Sequence, residues 1–217
     1  MARRVMAQYV LASTAIEYAA EHSEEVKRIV RESRLKMINA GSVYDESNLI
    51  VLEHEKAPIG SLPTVIIDVP SGREVEVQDM AYSEHVNALK ARVRPTAYVI
   101  PRGLENEERI LSLLTCHAVP YYSLPEGSAV MLRGYLKEEC GVELTDECAV
   151  SFENGAYVFP NNLPSTVLSV LMEPDFNSVS KRKMCLCSMG LADFDESGKF
   201  PVYRYCRDLN CGKVVTV

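Results

Sequence analysis

Residues 95–101, Pro-Thr-Ala-Tyr-Val-Ile-Pro, return in altered form at residues 155–160, Gly-Ala-Tyr-Val-Phe-Pro, and this repeat decides the fold class of the chain. In each copy a stretch of β-branched and aromatic residues, typical of a strand, ends at a proline, which cannot donate a hydrogen bond to a neighbouring strand. Apolar residues at helical spacing follow each copy, around 110–114 and 167–171. Two strand-to-helix units predict an α/β domain with a largely buried sheet.

Composition limits the classes of function. The chain has 217 residues and a net charge of -7, which argues against nucleic-acid binding, because phosphate contacts need clustered Lys and Arg. No stretch approaches the roughly 20 apolar residues needed to cross a bilayer, so no membrane association is expected. The seven cysteines are odd in number and favour a reducing, cytoplasmic compartment, although a leftover thiol can also pair between chains. A signal peptide could lie upstream, so the compartment stays open.

The chain divides into three regions, which are expected to form one compact unit. Residues 1–41 are predicted to be a helical arm, in which Ser23 caps a second helix and Gly41 ends it. One face of the first helix is predicted to be buried, because apolar residues recur at three- and four-residue steps. These residues are Val5, Tyr9, Ala12, Ile16 and Ala19.

Residues 42–93 are predicted to be a β-rich connector packed on an α/β core of residues 94–217. Within the connector, 80–92 is expected to be a helical turn or an irregular segment. Within the core, Asn154-Gly155 predicts a tight hairpin between the strands on either side of it. Residues 202–205 are expected to add an edge strand.

Two short motifs match patterns found at catalytic sites, but neither predicts a catalytic site here. His22 and Glu25 match the H-x-x-E pattern of some zinc peptidases, but exposed charges surround them and no third ligand follows, so coincidental spacing is the preferred interpretation. Cys116 and His117 could form a nucleophile and its base, yet neighbours in sequence seldom face each other on a helix. Cys116 is instead expected in the core with Leu113. No catalytic residue is predicted.

The spacing of four cysteines gives weak support for a metal site. A structural zinc could be held by Cys185, Cys187, Cys206 and Cys211. Their C-x-C and C-x₄-C spacings differ from the paired C-x₂-C that makes such an assignment strong. No metal is therefore predicted, and this site is kept as the alternative.

A ligand site is predicted at the loops that follow the two repeated strands. In open α/β sheets, ligands bind beyond the carboxyl ends of the strands. Here those positions are Arg102 with Gly103, and Asn161 with Asn162. A carboxylate or a peptide is the expected ligand, and the competing interpretation is that these are ordinary strand-to-helix loops.

Several segments in order along the chain resemble the C-terminal region that follows the catalytic domain in bacterial zinc carboxypeptidase-like proteins of the funnelin family. They are Arg3-Arg-Val-Met-Ala-Gln8, Tyr18-Ala-Ala-Glu21, Arg94-Pro-Thr-Ala-Tyr-Val-Ile-Pro101, Thr115-Cys-His-Ala-Val-Pro-Tyr-Tyr122, Glu153-Asn-Gly-Ala-Tyr-Val-Phe-Pro160 and Leu171-Met-Glu-Pro-Asp-Phe176. The resemblance spans nearly the whole chain, but none of these segments is a catalytic signature.

The resemblance implies a three-layer α/β sandwich with a mostly parallel or mixed sheet, similar in outline to class I glutamine amidotransferases. It also implies a non-catalytic accessory domain that packs on, or regulates access to, a peptidase domain upstream in the same protein. The zinc and its ligands would lie in that upstream domain, and no cofactor is expected in this chain. Self-association into a homo-oligomer is a further expectation.

Overall fold

The computed structural model describes residues 2–57, 59–83, 85–139, 141–176 and 184–217, with only the backbone described for 2–4 and 85. Its helices are α1 (Ala2–Glu21), α2 (Ser23–Ala40), α3 (Glu107–Cys116) and α4 (Val167–Met172). Its strands are β1 (Leu49–Ala57), β2 (Gly60–Ile67), β3 (Glu74–Tyr82), β4 (His85–Val93), β5 (Ala97–Pro101), β6 (Tyr122–Leu124), β7 (Ser128–Glu138), β8 (Gly141–Leu144), β9 (Cys148–Phe152), β10 (Ala156–Pro160) and β11 (Lys199–Tyr205).

The core of the protein is a seven-stranded sheet with helices packed against it, which confirms the mixed α and β composition. The strands lie in the order β6-β10-β5-β11-β7-β8, and β9 pairs with β7. Every pairing in this sheet, over the described residues, is antiparallel. The expected mostly parallel or mixed sheet is therefore not observed, since the apolar patterns that locate strands carry no information about their direction.

The two repeated segments pair directly with each other. β5 and β10 are antiparallel neighbours, with Tyr98 opposite Phe159 and Val99 opposite Val158. Each strand ends at its proline, as predicted, and each is followed by a helix. The repeat is thus the centre of the sheet.

Alternate residues of β5 enter two separate apolar clusters on opposite faces of the sheet. Tyr98 and Ile100 pack with the buried residues of both core helices. Ala97 and Val99 pack with residues of β7, β9, β10 and the C-terminal segment, including Val130 and Phe152. Because α3 and α4 contribute to the same cluster, the helices described in the core cover one face.

Two local predictions in the core are wrong. A turn does form at Asn154-Gly155, where Gly155 has φ 76° and donates to the carbonyl of Phe152. The strands on either side do not form a hairpin, because β9 pairs with β7 and β10 pairs with β5 and β6. Residues 202–205 belong to β11, which lies between β5 and β7 and not at an edge. Val202 and Tyr205 are buried accordingly.

The N-terminal helices form an exposed arm. At 1.5 Å per residue, α1 and α2 are about 30 and 27 Å long. Neither helix has a buried side chain in the described residues, so the expected buried face of α1 is exposed within this chain. Ser23 is the first residue of α2 and not its N-cap, since His22 occupies that position without a side-chain capping bond.

The connector is an elongated two-stranded ribbon. β1 pairs with β4, and β2 pairs with β3 beyond them. The predicted irregular segment 80–92 is therefore wrong, because it supplies most of β4 and the end of β3. Ile50 and Leu52 are buried at the base of the ribbon, whereas nearly every residue of β2 and β3 is exposed.

Gly41 forms the joint between the helical arm and the core. It ends α2, as predicted, and its N–H donates to the carbonyl of Met37 at 3.1 Å. A Cβ atom at this position would lie 2.1 Å from the backbone oxygen of Asn161. Glycine is required here because the two backbones are in direct contact, and not because of its φ angle of -84°.

Gly41→Ala is expected to destabilise the protein by about 1–3 kcal/mol, because the added methyl group forces the arm and the core apart. Gly60→Ala is the matched control, since a Cβ atom there meets nothing within 4 Å. Urea unfolding of both variants measures the difference. Equal midpoints for the two variants would contradict this contact.

Candidate functional site

The structure separates the four residues predicted to bind a ligand. β5 and β10 run antiparallel, with Pro101 opposite Ala156 and Pro160 opposite Ala97. The loops that follow the two strands therefore lie at opposite ends of the sheet. A single site cannot use both loops.

The loop after β5 is closed by contacts within the chain. The N–H of Gly103 donates to Glu107 Oε2 at 2.6 Å, and the hydroxyl of Tyr157 donates to Glu107 Oε1 at 2.7 Å. These two hydrogen bonds lower the pKa of Glu107. The Arg102 guanidinium lies 4.9 Å from the centre of the Tyr157 ring. Arg102 and Gly103 thus belong to a small cluster that fixes the start of α3.

The loop after β10 is part of the core. Asn161 is fully buried, and its Nδ2 donates to the carbonyl of Pro95 at 2.9 Å and to Ser169 Oγ at 3.3 Å. Its backbone N–H donates to the carbonyl of Thr96 at 2.7 Å. Asn162 is half-buried beside the Gly41 joint. These contacts give Asn161 an architectural role.

A buried ion network lies between the ribbon and the core. Glu173 is fully buried, and its Oε2 accepts a 2.5 Å hydrogen bond from Arg92 Nη1. Its Oε1 accepts a 2.8 Å hydrogen bond from the hydroxyl of Tyr98 and lies 3.2 Å from Arg204 Nε. Arg204 also donates to the carbonyl of Val93. One carboxylate thus joins β4, β5 and β11.

Asp175 extends this network towards the surface. Arg92 binds it through two nitrogens, at 2.9 and 3.0 Å, and Lys90 Nζ lies 2.6 Å from its Oδ2. Burial by itself raises the pKa of Asp175, but the hydrogen bonds from these two cations outweigh it and hold the pKa below its usual value. Asp175 is therefore ionised in the folded protein at neutral pH.

The pKa values of the two neighbouring tyrosines are raised. Burial is the main cause at Tyr98 and at Tyr135, and the Glu173 carboxylate adds to it. Both phenols are consequently neutral at physiological pH and unsuited to act as bases. Since the oxygens of Glu173 are already engaged, we assign the network a structural role.

Sequence reasoning missed this network. The one local indication of the network in the sequence is Glu173, an acidic residue directly after the apolar run of α4 and before Pro174. An acid placed at the end of a buried helix requires a cationic partner. The partners lie 81 and 31 positions away in the chain, so the sequence did not identify Arg92 or Arg204.

The cysteines proposed as an alternative zinc site are not arranged as ligands. Among the described residues, no group of three or more His, Cys, Asp or Glu side chains could hold a metal ion. Cys185 is buried, with its Sγ 3.2 Å from Ser188 Oγ and 3.4 Å from the carbonyl of Pro174. Burial raises the pKa of Cys187 to about 11, while Cys211 is exposed.

The H-x-x-E motif at His22 and the Cys116-His117 pair also show no catalytic geometry in the described residues. His22 Nδ1 lies 3.0 Å from the carbonyl of Tyr18, and the two rings stack with centroids 4.1 Å apart. Cys116 is exposed and not in the core, because Ile110 and Leu114 form the buried face of α3.

Within the described residues, no helix is both long and apolar enough to span a bilayer.

Comparison with protein-family models, with curated proteins and with solved structures finds no significant match to this chain.

Glu173→Gln is expected to destabilise the protein by roughly 3–5 kcal/mol, because it leaves the buried guanidinium of Arg204 without its carboxylate partner and Arg92 with Asp175 alone. The same substitution at Glu147, whose pair with Arg207 at 2.7 Å is partly exposed, is expected to cost less than about 1 kcal/mol. Urea unfolding at neutral pH separates the two. A Glu173→Gln variant as stable as the Glu147→Gln variant would contradict the network's role.

Cys187 is expected to react slowly with iodoacetamide at pH 8, because its thiol is half-buried and its pKa is raised to about 11. The thiolate is the reactive form, so the rate should climb as the pH approaches 11. Mass spectrometry of the labelled peptides, with exposed Cys211 as the internal reference, gives both rates. Equal rates at pH 8 would show that the thiol is not protected.

Proposed function

We propose that this chain is a non-catalytic accessory domain that packs on, or regulates access to, a zinc carboxypeptidase-like catalytic domain upstream in the same protein. The zinc belongs to that catalytic domain. The observation that carries the proposal is the unburied apolar surface of α1, which has no partner surface among the described residues.

The apolar side chains of α1 are extensively exposed. Relative exposure is 60% at Val5, 69% at Tyr9 and 69% at Ile16, which lie on one face of the helix. Full burial of a large apolar side chain is worth roughly 1.5–3 kcal/mol, so a partner surface covering these three side chains would gain several kcal/mol. An isolated helix of this length is only marginally stable in water. The partner surface would therefore also stabilise the helix itself.

The segments that resemble the accessory region also support an architectural role. Arg94 to Pro101 spans the central strand of the sheet, and Glu173 is the centre of the ion network. Asn161 follows the second repeated strand and holds two parts of the core together. These positions maintain a fold, and a domain that serves another domain requires no reaction of its own.

The amidotransferase-like outline is the less supported part of the resemblance. Antiparallel pairing throughout the described sheet, with α3 and α4 on one face, differs from the parallel three-layer arrangement. The exposed arm and the resembling segments support the proposal independently of that outline.

Small-ligand binding by the loops after β5 and β10 is not proposed as one site, since these loops lie at opposite ends of the sheet. A homo-oligomer is the main competing explanation for the exposed arm, because a second copy could cover α1 equally well. The experiment below distinguishes the two.

The first test is the size of the native protein, by antibody blot of extract from the source cells against this chain. A band far above 24.2 kDa is expected if the domain is fused to a peptidase. A band near 24.2 kDa, together with a dimer mass for the purified chain, would contradict the proposal and favour self-association.

The second test is hydrogen exchange of α1 in the native protein. Amides of α1 are expected to exchange more slowly there than in the isolated chain, and Ile16→Ser should abolish the difference by removing apolar contact. Glu17→Ser is the matched control, since it introduces the same residue at the adjacent position. Equal exchange in the native protein and the isolated chain would overturn the docking role of α1.

A further inference from the structure

A cavity lies where the helical arm, the ribbon and the core meet. Its volume is about 450 Å³, within the range of small-molecule pockets. The end of α2, the start of β1 and α4 form its walls. Much of the lining is apolar, from Met37, Ile50, Val170 and Phe176.

Arg94 lines this cavity and lacks a counterion. Only 7% of the residue is exposed. Its Nη2 donates to the backbone oxygen of Asn161 at 2.5 Å and to Asn161 Oδ1 at 3.3 Å, while its buried Nε has no hydrogen-bond partner. Both acceptors are neutral, so the positive charge is not neutralised by them.

Two further buried arginines, Arg92 and Arg204, have the carboxylate partner that Arg94 lacks. Arg92 and Arg204 both pair with the Glu173 carboxylate. No ion pair in the described part of the chain includes Arg94, and no acidic residue lines the cavity. Removing a guanidinium from water costs several kcal/mol unless an anion compensates for it.

We propose that this cavity binds a small organic monocarboxylate, with the carboxylate on Arg94 and an apolar tail against Met37, Ile50, Val170 and Phe176. A carboxylate provides the acceptor and the negative charge that the guanidinium lacks. Lys36, which also lines the cavity, adds a second positive charge. The apolar lining favours a hydrocarbon tail over an inorganic anion.

This chemistry has two sources, a free carboxylic acid or the C-terminal residue of a peptide, and the ligands of the test separate them. Octanoate and N-acetyl-leucine are titrated into the full chain by calorimetry, with octanamide and N-acetyl-leucinamide as neutral counterparts. At least one acid is expected to bind about tenfold or more tightly than its amide, as expected when a charged hydrogen bond is lost. If neither acid binds, or if each amide binds as tightly as its acid, the proposal is wrong.

Variants locate the site. Arg94→Gln is expected to weaken acid binding by about tenfold or more, through loss of the charge-assisted hydrogen bond. Lys36→Gln should weaken it by a smaller factor, and Lys27→Gln, on the same helix but outside the lining, should not change it. Binding that persists in folded Arg94→Gln would overturn the assignment.

Val170→Phe keeps the test decisive if Arg94→Gln does not fold. It leaves every charge in place and fills the space that the tail requires, so acid binding should be lost. Circular dichroism confirms the fold of each variant. Undiminished binding in a folded Val170→Phe variant would show that the acid binds elsewhere. The proposal does not depend on the accessory-domain function, and its failure leaves that function unaffected.

Discussion

The buried carboxylate of Glu173 is the interaction on which the arrangement of this protein depends. It lies directly after α4 and accepts hydrogen bonds from Arg92 in the ribbon and from Tyr98 in the central strand, and it pairs with Arg204 in β11. Each of these groups loses water on burial and requires a close partner of matching chemistry. The network therefore fixes where the base of the ribbon sits on the sheet.

Sequence patterns located the elements better than their arrangement. The repeated Ala-Tyr-Val segments and their prolines identified β5, β10 and the helices that follow them, because strand propensity and helical spacing are local properties. Strand direction and order are not local, and the patterns could not reveal that β5 and β10 are antiparallel neighbours. Placing 202–205 at an edge failed for the same reason, since its position depends on partners more than 60 residues away.

The polar sites were less predictable still. The ligand prediction assumed that the loops after both strands share one edge, which holds for parallel strands only. Arg94 begins one of the segments that resemble the accessory region, yet its charge is informative only in the fold, where no acidic residue lines its cavity among the described residues. Whether a buried charge has a partner depends on its neighbours in space. The residues that line the cavity with Arg94 come from four parts of the chain.

The outer ribbon carries a consequence for the behaviour of the protein in solution. In the described residues β2 and β3 pair only with each other, so each strand has one edge along which no described strand lies. Such edges can template strand addition between molecules, and apolar Val65 and Ile67 increase that tendency. Pro63, which coincides with an irregularity in the ladder, and the acidic residues of β3 oppose it. The edges of the ribbon can therefore accept a strand from another molecule, while Pro63 and the acidic residues of β3 limit aggregation of the free chain.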